Sequence, residues 1–244
     1  MNKSVPAAFF VTAILVASPG RAQQTPGAMQ QAPAGTRAIH HLVYRFGYNT
    51  KATKAGNGTG TTTVDFGAAA PDGGVMVTAT DSWWNTVRPR QSSTCELHPN
   101  GGVTCAQPPY SLSPIQVAIV PLLGRHYFSA LAAGPNAVWQ QQYNVRATFF
   151  PAAATGFAGQ VYTYNCAYSL NGKGTVPNNG QPVVLVHQTG AMKQVGGRYI
   201  KVNQKANFLF DPRLKLPVFV DEELTFVPQV SVNKYTVELK LIQY

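Results

Sequence analysis

Ser113-Pro114-Ile115-Gln116-Val117-Ala118-Ile119-Val120-Pro121-Leu122-Leu123 breaks the rhythm of the chain around it. Ser113 is a preferred N-cap residue, and Pro114 suits the first helical position, where no intrahelical acceptor awaits its missing N–H. Ile115, Ile119 and Leu122 recur at helical spacing. Pro121 removes a helical hydrogen bond and clashes with the preceding turn, so the helix is expected to kink or end there. Apart from Gln116, every residue from Ile115 to Leu123 is apolar. A surface helix shows a polar face, so this one is expected to be buried on nearly all sides. Two readings stand: a plug filling the inside of a β fold, or a lid over an apolar cavity.

The flanking sequence has a period of two. Leu42, Tyr44 and Phe46 alternate with Val43 and Arg45, and the theme repeats over Thr61–Phe66 and Val75–Thr80. Lys54–Gly60 is a glycine-rich turn, and Asp72-Gly73-Gly74 closes the next hairpin. Further strand runs are Val138–Phe150, Gly159–Leu170, Val183–Gln188, Tyr199–Phe210, Val218–Val227 and Tyr235–Ile242, with a turn at Asp211-Pro212. In the last run Tyr235, Val237, Leu239 and Leu241 fill one face, and Thr236, Glu238 and Lys240 the other. Roughly ten strands and one apolar helix predict a mainly β fold. The expected architecture is a curved antiparallel sheet, a half-barrel or open barrel, around that short helix.

The chain has 244 residues, of which 45% are hydrophobic and 11% charged, so it has material for a sizeable core. Residues 1–22 read as a secretory signal: Lys3, then the apolar run Val5–Ala17, then Gly20 and Ala22 at the small-residue cleavage positions. Residues 23–38 are rich in Pro, Gly, Ala and Gln and read as a flexible linker, followed by a single β-rich domain over 39–244. The expected location is therefore periplasmic or extracellular, without a lipid anchor, because no Cys follows the apolar run. The formal charge is +10, from 19 Lys and Arg against 9 Asp and Glu. This surplus reflects scarce acids rather than basic clusters, and Arg88 and Arg90 are the densest pair. No nucleic-acid partner is expected.

Three cysteines, Cys95, Cys105 and Cys166, sit in a chain marked for an oxidising compartment. With a loop at Pro99-Asn100-Gly101, His98 faces Gly102, Leu97 faces Val103, Glu96 faces Thr104 and Cys95 faces Cys105. The cysteines then fall on a non-hydrogen-bonded pair, where strand Cα atoms approach to about 4.5 Å, within disulfide range. A Cys95–Cys105 bridge follows. Cys166 is left as a buried structural thiol or a link to another chain.

No Gly-x-Ser-x-Gly elbow is present, and nine acids are few for carboxylate catalysis. Asp221-Glu222-Glu223, the only acidic cluster, places its outer two side chains on one face and the middle one on the other, and of two readings, a calcium site or a solvated edge or turn, the latter is expected. His40 and His41 point to opposite faces, His98 belongs to a turn, and His126 and His187 stand alone. None has metal-ligand spacing. No catalytic residue, metal or cofactor is expected. The adjacent Trp83 and Trp84 put one ring inward and one outward.

The stretches HHLVYRFGY, SPIQVAIVPLL, FDPRLKLPV and YTVELKLIQY, in an exported chain, make residues 39–244 similar to the periplasmic lipoprotein carriers and their outer-membrane receptor. The resemblance implies an open half-barrel whose apolar concave face binds acyl chains or another lipid-like ligand, and it transfers no individual binding residue. Ile115, Ile119, Leu122, Trp83 and Trp84 are the candidate ligand-binding residues. The competing expectation is a structural or interaction protein of the cell envelope with a filled core and no ligand, associated peripherally. An outer-membrane barrel fits less well. The terminal Tyr244 shares a face with Ile242, Lys240 and Glu238, and Lys on a lipid-facing stripe costs about 2–4 kcal/mol at mid-membrane.

Overall fold

The computed structural model describes residues 40–50, 57–84, 90–99, 102–105, 112–124, 138–147, 162–195, 201–227 and 234–244. The signal and linker (1–38), Arg88, His126, the Asn100-Gly101 loop tip and the outer ends of the Val138–Phe150 and Gly159–Leu170 runs lie outside the described residues. So do the side chains of Trp139, Tyr162 and Tyr164.

Among the described residues eleven strands form one sheet with antiparallel pairing throughout. They are β1 (His41–Thr50), β2 (Gly58–Ala69), β3 (Val75–Trp83), β4 (Gln91–Leu97), β5 (Val103–Cys105) and β6 (Val138–Ala147). After these come β7 (Tyr162–Asn178), β8 (Gln181–Gln194), β9 (Lys201–Asp211), β10 (Leu216–Val227) and β11 (Lys234–Gln243). The spatial order is β5-β4-β3-β2-β1-β11-β10-β9-β8-β7-β6. Two meanders, β1 to β5 and β6 to β11, are thus sewn together where the first strand pairs with the last. β5 and β6 are left at the two edges; the sheet curves far enough to bring these edges near one another but is not closed by a ladder between them among the described residues. The sequence expectation of a mainly β, open antiparallel architecture is met.

Between β5 and β6 the chain enters the helix α1 (Pro114–Ile119), followed by a 3-10 turn over Val120–Leu123. The α-helical hydrogen bonding therefore stops just before Pro121, as its missing N–H requires. Ser113 caps the helix in a reciprocal box: Gln116 N–H donates to Ser113 Oγ at 3.1 Å, and Ser113 N–H donates to Gln116 Oε1 at 3.1 Å. α1 packs on β3, β10 and β11. Everything from Ile115 to Leu123 is buried, Gln116 included. Gln116 satisfies its amide by donating to the carbonyls of Ala79 at 3.2 Å and Gln91 at 3.3 Å.

Strand alternation sends Leu42, Tyr44, Phe46 and Tyr48 of β1 and Tyr235, Val237 and Leu239 of β11 into one hydrophobic core with the helix. The opposite face of β11 carries exposed Glu238 and Lys240. The β4–β5 register pairs Cys95 with Cys105, Glu96 with Thr104 and Leu97 with Val103, and His98 N–H donates to Gly102 O at 2.9 Å. Cys95 and Cys105 are bonded, their Cα atoms 3.9 Å apart. Cys166 is buried on β7. Closing so short a loop restricts the unfolded chain by about 3 kcal/mol. Replacing both Cys95 and Cys105 with Ser is expected to lower the unfolding free energy by about that amount, read from denaturant midpoints. Adding reductant to the unmodified chain should give the same shift.

Candidate functional site

Registers across five ladders place the inward side chains in rows. One row runs Leu170 (β7), Gln188 (β8), Ala206 (β9), Glu222 (β10), Val237 (β11), Tyr48 (β1). The next runs Tyr168, Gly190, Gln204, Leu224, Tyr235, Thr50 over the same strands. Gly190 is required by its neighbour: a Cβ there would lie 2.2 Å from Cδ1 of Tyr168, whose ring lies across the glycine. Tyr48 and Tyr235 stack with ring centres 5.5 Å apart.

Three polar side chains interrupt this wall. Glu222 is 1% exposed, Gln204 3% and Gln188 4%. Gln204 Nε2 donates to Glu222 Oε1 at 2.7 Å. Glu222 Oε2, Gln204 Oε1 and Gln188 Oε1 are buried without a hydrogen-bond partner among the described residues. Burial pushes the Glu222 carboxyl up to about 8; the bond from Gln204 opposes this and the charge of Asp221 adds to it. The acidic cluster of β10 is therefore not a solvated edge or turn. Asp221 is exposed and Glu223 pairs with Lys234, but Glu222 shares the inward face with Val220 and Leu224. That phase was readable in the sequence.

A second buried polar group sits at the helix N-terminus. Asp81 follows Val77 and Ala79 on the inward beat of β3 and accepts from Ser113 Oγ and, at 2.5 Å, from Thr62 Oγ1. Desolvation raises its carboxyl to about 6 against the pull of those bonds and of Gln116. The residue that caps the helix is thereby also tied to β2 and β3.

The candidate residues named from sequence divide. Ile115, Ile119 and Leu122 are buried inside the sheet. Trp83 turns inward, meeting Phe46 edge-on at 4.8 Å and Tyr48 at 5.7 Å between ring centres. Trp84 lies on the outer face, 53% exposed, with the Arg45 guanidinium 5.6 Å from its ring centre. It does not join the interior set. Gln188 and Gln204 are not singled out from sequence, and Glu222 is read there as part of a solvated acidic cluster rather than as an inward residue.

Away from the interior, Asp72, Glu96 and His98 bring their ligand atoms within 4.8 Å of one another. Sequence spacing hid this group, since Asp72 belongs to the β2–β3 turn and the other two to the β4–β5 hairpin. His98 Nδ1 bonds Asp72 Oδ2 at 2.6 Å, and its Nε2 bonds Thr104 Oγ1 at 2.8 Å. The His98 bond and the Gly74 N–H hold the Asp72 carboxyl below its ordinary value. Nδ1 thus fastens the turn to the hairpin, while Nε2 ties together the two sides of the hairpin itself.

No family model and no curated protein matches the sequence. Among the described residues no helix is long and apolar enough to cross a membrane.

Proposed function

We propose that this chain is an exported, non-enzymatic protein that takes an apolar or lipid-like ligand inside its open sheet. The observation that carries the reading is the architecture of the interior: an unclosed sheet whose concave wall is apolar, wrapped around an enclosed apolar helix. Export is supported by the leader-like residues 1–22 and by a disulfide in a chain of three cysteines. The similarity to lipoprotein carriers points the same way. The location is the periplasm or the outside of the cell.

A second reading is favoured by one feature. The helix is buried all round and pinned through Ser113 to Asp81, which suits a fixed plug in an envelope interaction protein better than a mobile lid. Native mass spectrometry of the chain purified from an exporting host, before and after organic extraction, separates the two. The carrier reading expects a co-purifying acyl or isoprenoid mass that extraction removes. A clean apo mass, with no uptake of the apolar dye N-phenyl-1-naphthylamine, would establish the filled-core protein instead.

A further inference from the structure

We infer that Gln188, Gln204 and Glu222 form an anchor for the primary-amine head of an amphiphile held in the interior. The inference rests on the interior-ligand reading and adds the chemistry of the ligand's polar end.

Buried polar atoms in folded proteins are almost always paired, so several unpaired ones close together mark a missing partner. Here the three oxygens without partners lie on adjacent strands of one concave wall. Gln188 and Glu222 are both register partners of Ala206, one on each side. Their backbones are thus two strand spacings apart, roughly 10 Å, with only a methyl group between them. Gln204 stands one row along and already bonds Glu222. The registers thus set two long polar side chains on either side of a small one, with a third on the adjacent row of the same face.

The required partner is rich in donors. A carboxylate or phosphate head finds one donor, the proton of the neutral Glu222 carboxyl, and otherwise meets the Gln188 and Gln204 oxygens. A hydroxyl offers one donor, whereas an alkylammonium offers three, one for each of Glu222 Oε2, Gln188 Oε1 and Gln204 Oε1. It also supplies the positive charge that lets a buried carboxylate ionise. On binding R–NH3+, Glu222 releases its proton to solvent and the pair is held as carboxylate and ammonium, with no covalent change.

The test displaces N-phenyl-1-naphthylamine from the full exported chain with dodecylamine, dodecanol and laurate, which share one chain length. Dodecylamine is expected to act at about tenfold lower concentration than the other two. Glu222→Gln, and separately Gln188→Leu, should shrink that gap below about threefold, the three heads being compared within each variant. A merely structural role would weaken all three heads alike. Equal displacement by the three heads, or a gap that survives in Glu222→Gln, overturns the anchor while dye uptake upholds the cavity. Failure to bind the dye and every amphiphile overturns both. Incubation with dioleoylphosphatidylethanolamine or dioleoylphosphatidylcholine vesicles then identifies the source. Extraction of the former alone assigns an amine-headed lipid, and extraction of neither assigns a single-chain amine.

Discussion

Phe46→Ala is expected to be among the most damaging single substitutions in the core, costing about 3–5 kcal/mol. Phe46 is 1% exposed on β1, between its ladder partners Gly60 and Leu239. Its ring lies over Gly60, where a Cβ would come within 2.6 Å of Phe46 Cζ, and its edge meets Trp83. Removing the ring empties a space that the glycine on one side has no side chain to fill. The Ser82 carbonyl, 2.1 Å from where a Gly60 Cβ would stand, shows how closely the neighbouring backbone already packs there. Partial collapse is thus poorly available, which places the cost at the upper end of the range. For a domain of about 200 residues the melting temperature should fall by roughly 10 °C. Phe46→Leu, which keeps much of the volume, should cost about 1–2 kcal/mol. Thermal unfolding followed by tryptophan fluorescence reads both; equal losses for the two variants would refute the packing argument.

The interior that this substitution probes was legible wherever the code is local. The β11 face of Tyr235, Val237 and Leu239, the cap at Ser113, the stop before Pro121 and the Cys95–Cys105 register all follow from spacing within one or two elements. Two things did not follow. The β7–β8 hairpin extends past Leu170 to a tip at Asn179-Gly180, both at positive φ (49° and 75°), the Asn-Gly signature of a tight turn. Lys173-Gly174, with Gly174 at φ 81° beside a register shift, interrupts the alternation and hides the continuation. The other is the union of β1 with β11, a pairing across most of the chain that no local pattern encodes. It is this union that aligns Tyr48 with Glu222 and makes one wall of two meanders. The anchor residues are brought together instead by the β8–β9 and β9–β10 registers, which no single strand run encodes.

The group also has a signature in solution. In the folded chain the Glu222 carboxyl lies at about 8, against an ordinary 4.5 when the chain is unfolded. Between these values the folded state holds the proton more firmly than the unfolded state does. Its contribution to stability is complete below about pH 4.5 and is lost as pH rises towards 8 and beyond. Asp81 behaves in the same sense over the window from 3.8 to about 6, so the upper part of the slope belongs to Glu222 rather than Asp81. Glu222→Gln keeps the shape and the acceptor for Gln204 Nε2 but has no proton to lose. It should flatten the profile above pH 6 and exceed the unmodified chain in stability at pH 8–9 by several kcal/mol, to order of magnitude. Urea midpoints measured from pH 5 to 9 on both chains give the comparison. Parallel profiles would mean that solvent reaches Glu222 and that the wall around it is not dry. A flattened profile that regains its slope in Gln204→Leu/Glu222→Gln would instead place the titration elsewhere. If the slope vanishes with Glu222 alone, an unpaired carboxyl in an apolar wall is the group that destabilises this fold at alkaline pH. A cation seated beside it would then stabilise the ionised chain most where the empty chain is weakest.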